Sequence, residues 1–320
     1  MDKFRFAIMG AGKIAVKFCE AVGLLEDCEV AAVASKSAKR AERFADANHV
    51  GRHYDSYERM LVEEKPDCVY IAVTPDAHYE LSMLCLKYKV PVLCEKAMFL
   101  NSAQAEEVFA RARETGVFVM EAMWSRFLPT VKKVREWIDK GKIGKLSFMD
   151  ISIGFLAAPD PESRFLNAAL GGGAAFDVTV YVYEIADFYM HRKPDEVQVA
   201  AVWGPTGVDV TDHVVLRYGD VMASLTGSFA ADLDGKAVIY GDGGKIVMAH
   251  PHHGSEAFLY PSDGGEAVYF HDTDTQNGFV YEIQEAMDCI RAGKVESEVV
   301  PHSLTLDCAR LFDRIMMTKG

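Results

Sequence analysis

The chain is short of several features that would point directly to a role. It has no CxxC pair. Its seven cysteines stand at 19, 28, 68, 85, 94, 289 and 308, an odd number without the spacing of a zinc ribbon or redox motif. Some lie in apolar runs, Cys68 in DCVYIAV and Cys94 in VPVLCEK, so they are expected as reduced core residues of a cytoplasmic protein. Basic residues are in deficit, with 34 Lys plus Arg against 47 Asp plus Glu and a net charge of -13. Such a surface lacks the footprint that phosphate backbones require, so no nucleic-acid partner is expected. The opening MDKFRFAIMGAG is short, broken by glycines and charged within its first five residues, so neither a signal peptide nor a membrane span is expected. Internal repeats and low-complexity segments are absent.

What remains is an ordinary globular balance, 50% hydrophobic and 25% charged, over 320 residues. That length suits about two domains at roughly 150 residues each. The first 120 residues alternate short apolar runs with helical stretches. Strands are expected at Phe4–Met9, Glu29–Ala34, Cys68–Val73, Pro91–Cys94 and Val117–Glu121. Helices are expected near Ile14–Leu25, Ala38–Ala47, Glu80–Tyr88 and Ser102–Thr115. Continuous apolar strands alternating with helices indicate an α/β domain with a parallel sheet covered on both faces. The rest reads differently: helices at Pro129–Lys140, Ala174–Met190, Asn277–Gly293 and Ser303–Met317, and strand runs from Lys145–Phe155 and Glu196–Phe270. Turns such as Gly-Asp-Gly-Gly at 241–244 have hairpin chemistry, so a mainly antiparallel sheet is expected. The division falls near residue 123, giving domains 1–123 and 124–320.

Gly10-Ala11-Gly12-Lys13-Ile14-Ala15 follows the first strand and opens the first helix. Gly10 permits the tight turn, Gly12 lets backbone approach a pyrophosphate, and Ala15 replaces a third glycine while still allowing close packing. The string alone is weak, but its place in a βαβ unit is the one a dinucleotide site requires. The second strand ends at Ser35-Lys36-Ser37, with Arg40 beyond, where an NAD site would carry Asp or Glu. A hydroxyl and two cations suit a 2′-phosphate instead, so NADP is expected, with NAD as the alternative.

Thr74-Pro75-Asp76-Ala77-His78 and Cys94-Glu95-Lys96-Ala97 follow two further strands, at the carboxyl ends where ligands gather. With the glycine loop, they resemble the glucose-fructose oxidoreductase/inositol dehydrogenase (Gfo/Idh/MocA) family. Thr74, Pro75 and His78 match its Thr-Pro-x-x-x-His pattern, and Glu95 and Lys96 match its Glu-Lys-Pro signature, from which Ala97 departs. FVMEAMWSRF at 118–127 and GGGAAFDVTVY at 171–181 look like the dihydrodiol dehydrogenase and NADP-dependent xylose dehydrogenase branch. The likeness spans essentially the whole chain.

The resemblance implies an N-terminal Rossmann domain, a doubly wound parallel sheet that binds NADP, and a C-terminal α+β domain with a large open antiparallel sheet for substrate and oligomerisation. It implies hydride transfer with a secondary hydroxyl of a sugar, polyol or trans-dihydrodiol by a homodimer or larger oligomer. Tyr181 becomes the proton donor and acceptor, Asp177 its neighbour four residues earlier, and Lys96 the ammonium that lowers the phenol's pKa. From residue type alone, Tyr183 and Tyr189 look equally suitable. Gly10, Gly12, Lys13, Ile14, Ser35, Lys36, Arg40, Thr74, Pro75, His78, Glu95 and Lys96 become cofactor contacts. Trp124 and Arg126 either line the nicotinamide end or pack structurally, and Arg164 either contacts substrate hydroxyls or forms a surface ion pair. The family's proline often carries a cis bond, so Ala97 leaves the turn after Lys96 open. The family also holds non-catalytic cofactor sensors, and Ala97 is the one feature leaning that way. His250, His252 and His253 fit no usual zinc spacing and read as a polar loop, so no metal is expected.

Overall fold

The computed structural model describes residues 3–320. Its contacts form two compact units, Met1–Trp124 with Asn277–Ala309, and Ser125–Gln276 with Arg310–Gly320.

The first unit is built on β1 (Phe4–Met9), β2 (Cys28–Ala34), β3 (Arg52–Tyr54), β4 (Cys68–Ile71), β5 (Val92–Glu95) and β6 (Val119–Ala122). They form one parallel sheet in the order β3-β2-β1-β4-β5-β6. The order reverses between β1 and β4, the switch point at which open α/β sheets bind ligands. β4, β5 and β6 are buried along their whole length, which is why they read as unbroken apolar runs. Helices α1 (Lys13–Gly23), α2 (Ala38–Ala47), α3 (Tyr57–Glu64), α4 (His78–Lys87) and α5 (Ser102–Thr115) connect them. Side chains of Ser37, Ser56 and Asn101 cap α2, α3 and α5, and Gly116 ends α5 at φ +68°.

The β3–α3 pair has no counterpart among the expected elements. β3 is three residues long with two exposed, so it lacks a run to detect. It is held from within: Glu64, 5% exposed, binds the Arg5 and Arg52 guanidinium groups at 2.8 and 3.0 Å and accepts from the Tyr54 hydroxyl.

Helix α8 (Phe279–Arg291) and the first half of α9 (His302–Met316) also belong to this unit, so one cut at residue 123 does not describe the contacts. The reason is specific bonding. Asn277 donates to the Lys17 carbonyl at 2.9 Å, Arg291 pairs with Asp27 at 2.8 Å, and Thr305 donates to Glu121 at 2.8 Å.

The second unit holds α6 (Pro129–Asp139), β7 (Leu146–Gly154), α7 (Val180–Met190), β8 (Glu196–Trp203), β9 (Asp209–Tyr218), β10 (Val221–Ser228), β11 (Lys236–Gly241), β12 (Gly244–Ala249), β13 (Glu256–Pro261) and β14 (Val268–His271). The eight strands run in the order β14-β13-β12-β11-β7-β10-β9-β8. Every neighbouring pair is antiparallel except β7 with β10. Met149, Ile151, Leu216, Leu225, Ile239 and Met248 are buried on one face. α7, buried from Val180 through Ala186, packs against β7 and β10. Alternate residues on the other face, including Phe148, Met222, Tyr240 and Tyr260, stay exposed. The helix expected from Ala174 to Met190 is in two parts: a π turn over Ala175–Thr179 precedes α7.

Neighbouring positions of β7 should differ sharply. Ile151→Ala is expected to lower the unfolding free energy by about 2–5 kcal/mol. Asp150→Ala, on the exposed face, should change it by less than about 0.5 kcal/mol. Urea denaturation of both variants measures the contrast.

Candidate active site

The glycine loop sits at the end of β1. Gly10 has φ +112°, and a Cβ there would lie 2.5 Å from the Ala72 carbonyl oxygen at the end of β4. The turn therefore requires glycine for its own packing. Gly12 differs: it has an ordinary φ of -101°, and the nearest atom to a Cβ would be 4.0 Å away. Among the described residues nothing needs glycine at this position, which leaves open space for a ligand to approach. Gly12 is also the N-cap of α1 and offers no side-chain cap, and the first turn carries no acidic residue. An uncapped helix start with free N–H groups and no competing carboxylate fits a dinucleotide pyrophosphate. Ala15 is fully buried, as close helix–sheet packing requires, while Lys13 is exposed and Ile14 half-buried.

Ser35, after β2, is 6% exposed, and its hydroxyl accepts from the Ser37 backbone N–H at 3.4 Å. Lys36 and Arg40 are exposed. Arg40 lies in the first turn of α2, which Ser37 caps. The segment thus presents two cations where the dinucleotide ribose arrives in such folds.

Thr74 and Pro75 begin a short 3-10 turn, half-exposed, that leads into α4. His78 is fully buried, with ring nitrogens 3.0 Å from the Ala97 carbonyl oxygen and 3.1 Å from that of Val73. It therefore holds two strand-end loops together. Burial lowers its pKa, against the raising effect of the two carbonyls. Glu95 is likewise buried and accepts from the Tyr70 hydroxyl. Beside it lies Glu282 of α8, fully buried, with no hydrogen-bond donor at either oxygen among the described residues. Burial, and then the neighbouring Glu95, push the Glu282 carboxyl well above the usual range. No motif in the sequence marked Glu282. Lys96 is half-buried, and its bond to Ala97 is cis, the arrangement the family's proline often shows. Trp124 is half-buried, its ring 5.3 Å from that of Phe279.

In the second unit, Tyr181 is 7% exposed in the first turn of α7. Asp177 lies in the π turn and pairs with Arg164 at 3.0 Å. The Arg164 guanidinium also lies 4.0 Å over the Phe165 ring, and Phe165 packs with Phe155 and Phe229. The i→i+5 turn means that a step of four residues here falls short of a full turn, unlike in the regular helix expected. Tyr183 and Tyr189 are buried too, and Tyr189 is committed to the core, its hydroxyl on Met248 at 3.7 Å. The histidine loop is not remote: the His252 ring lies 4.9 Å from that of Tyr181 and 4.2 Å from that of His253. Three clustered histidines were the only signal available in the sequence, and their spacing did not point at a tyrosine some seventy residues away.

Arg126 is 6% exposed and engaged within its own unit, 3.0 Å from Glu184 and 3.3 Å from Asp187, with its guanidinium 4.9 Å over Phe188.

The family described as an oxidoreductase family with an NAD-binding Rossmann fold matches residues 4–123, and the GFO/IDH/MocA C-terminal domain matches 131–247. The chain is similar to trans-1,2-dihydrobenzene-1,2-diol dehydrogenase of Mus musculus, 33% identical over 309 residues that cover 93% of this chain and 91% of that protein. The Danio rerio protein of the same name is 31% identical over 331 residues, covering 99% and 97%. Among solved structures, aldose-aldose oxidoreductase from Caulobacter crescentus, complexed with glycerol, shares the fold with a TM-score of 0.90 at 20% identity, over 99% of this chain and 97% of that one. The 3-ketoreductase KijD10 from Actinomadura kijaniata, in complex with NADP and TDP-benzene, does so at 0.87 and 23% identity, over 99% and 98%.

Gly12→Val separates cradle from fold. Its side chain enters open space, so the melting temperature should stay within about 3 °C of wild type. Dinucleotide affinity should fall at least about tenfold, or roughly 1.4 kcal/mol. Fluorescence titration with NADPH measures the second quantity.

Proposed function

The chain belongs to the GFO/IDH/MocA oxidoreductase family, and on that footing we propose that it exchanges a hydride between NADP(H) and a secondary hydroxyl of a trans-dihydrodiol, polyol or sugar. That it is a dinucleotide-dependent oxidoreductase follows from the family. The substrate class and the preference for NADP are our own reading. The observation that carries it is Tyr181, nearly buried at the start of α7 and four residues after the Arg164-paired Asp177.

When bound, the nicotinamide supplies hydride exchange with the carbinol carbon. Gly10, Gly12, Lys13 and Ile14 form the phosphate end of its cradle, and Ser35, Lys36 and Arg40 favour a 2′-phosphate. Thr74 and Pro75 border it, while His78 and Glu95 brace the loops on either side. Tyr181 takes the proton from the substrate hydroxyl during oxidation and returns it during reduction. A free phenol has a pKa of about 10, too high for an efficient base at neutral pH. The family resemblance gives Lys96 the role of the ammonium in this chemistry. Asp177 orients the substrate hydroxyl, and Arg164 offers further donors while it holds Asp177. The Phe155, Phe165 and Phe229 rings beside Arg164 suit the apolar face of a cyclic diol.

The relatives described above carry enzyme names, which favours turnover over the cofactor-sensing alternative raised by Ala97. We further propose a homodimer or larger oligomer, supported by the exposed Phe148, Met222, Tyr240, Tyr260 and Tyr269 on the outer face of the second sheet. None of the seven cysteines forms a disulfide and six are buried, which suits a reducing cytoplasm. Among the described residues, no helix is long and apolar enough to cross a membrane.

Tyr181→Phe should lower kcat by at least about a hundredfold, the scale of a lost acid-base group, with NADPH affinity unchanged. Residual turnover near wild type in a stopped-flow assay would remove Tyr181 from the chemistry. Lys36→Glu should weaken NADPH binding by about tenfold and leave NADH binding within about twofold, since only one of the two carries the phosphate. Equal losses for both would overturn the assignment of the 2′-phosphate to this segment.

A further inference from the structure

Asp209 and Asp212 on β9 are both fully buried. In a regular strand, positions three apart face opposite ways. Here the pairing of β8 with β9 slips: Val202 opposes Thr211 and Trp203 opposes Asp209, which leaves Val210 as an extra residue. This bulge turns both carboxyls to the same side, where they meet the two ends of one segment. Asp209 Oδ2 accepts from the Ala175 backbone N–H at 2.6 Å, and Asp212 Oδ2 accepts from the Thr179 hydroxyl at 2.7 Å. Ala175 and Thr179 are the first and last residues of the π turn.

The packing leaves little freedom around this clamp. A Cβ on Gly173 would lie 2.3 Å from Asp209 Oδ1, and one on Gly227 would lie 2.1 Å from Thr179 Oγ1. Oδ1 of each aspartate finds no N–H or hydroxyl donor from any other group among the described residues. Burial raises both carboxyls above the usual range, and the neighbouring Asp209 raises Asp212 further. β7 and β10 pack on the π turn, Gly227 of β10 lies against Thr179, and the buried face of these two strands carries the apolar Met149, Ile151, Ala223 and Leu225.

We propose that Asp209 and Asp212 share one proton and are positioning residues, which hold the π turn at the pitch that places Asp177 and Tyr181 for turnover. The proposal rests on the reading of Tyr181 and Asp177 given above. Two buried carboxylates side by side cannot both ionise cheaply, so one keeps its proton and donates to the other. The ionised partner then accepts from the first N–H of the turn, at the positive end of the helix. Burial, followed by the charge of Asp209, pushes Asp212 up to about 9, and burial raises Asp209 as well. The proton is therefore in place at neutral pH. π turns are uncommon and their geometry is not self-enforcing, so a clamp at both ends explains how this one persists.

Three variants and two readouts test this. Asp212→Asn keeps an acceptor for Thr179 and replaces the shared proton with an amide N–H. It should retain kcat within about threefold of wild type. Asp212→Leu and Thr179→Val each break the far end of the clamp, Thr179→Val with nearly unchanged volume. Each should lower kcat by roughly ten- to a hundredfold, the scale of a displaced reacting group, with the Kd for NADPH unchanged. If Asp212→Leu does not fold, Thr179→Val carries the same comparison. The infrared difference spectrum of wild type minus Asp212→Asn at pH 7 should show the carbonyl band of one protonated carboxyl group. Wild-type kcat in Thr179→Val would overturn the positioning role. A missing acid band, or an Asp212→Asn variant as slow as Asp212→Leu, would overturn the shared proton. The infrared band does not depend on turnover, so a failure of the Tyr181 reading would register separately, as an active Tyr181→Phe enzyme.

Discussion

The close approach of the β1–α1 turn to the end of β4 is the constraint from which the glycine cradle follows. The Gly10 backbone N–H reaches the Ala34 carbonyl at 2.9 Å and the Ala72 N–H reaches the Met9 carbonyl at 2.8 Å, so β2, β1 and β4 converge at the residue where the chain turns. A side chain at Gly10 would collide with that convergence. Because the turn is this tight, α1 starts immediately after it, with its positive end bare and nothing in front of Gly12. The cradle is thus a consequence of how three strands end. The Ser35–Arg40 segment inherits its place from β2, and the Thr74 loop inherits its place from β4.

A second theme is acid held in the interior. Glu95 rests on the Tyr70 hydroxyl with Glu282 beside it, and Asp209 and Asp212 lie under the π turn. Each set lies next to a residue assigned to the chemistry, Glu95 one position before Lys96 and the aspartates beneath the segment that carries Asp177. Buried carboxyls give directional hydrogen bonds. They fix backbone where an apolar contact would leave it free to slide. Glu64 shows the opposite solution, a buried carboxylate balanced by Arg5 and Arg52, and it braces β3 well away from the glycine turn.

Much of this was legible in the sequence, for identifiable reasons. The parallel strands β4, β5 and β6 are buried on both faces, so their apolar runs stand out, and Ala38–Ala47 and Ser102–Thr115 begin at side-chain caps that sequence displays. The β3–α3 pair was hidden because β3 has three residues and owes its place to Glu64, a partner ten residues further on. The π turn was hidden because its cause, the Asp209–Asp212 clamp, lies on a later strand and depends on a bulge. The short strings pick out Tyr181, Asp177, Lys96, His78 and Glu95 alike, since a string cannot distinguish a ligand contact from a brace; the structure adds that His78 and Glu95 are buried among protein partners. His252 and Glu282 reach their places through tertiary packing alone, and no local pattern announces such residues.

The account stands or falls on one activity. The measurement is the change in nicotinamide absorbance when the purified protein meets a panel of trans-dihydrodiols, polyols and sugars, with NADP and with NAD in parallel. The account predicts turnover with NADP on at least one class of secondary hydroxyl, and a clearly lower rate with NAD. Tight NADPH binding with no turnover on any member of the panel would contradict it and favour a cofactor-binding regulator.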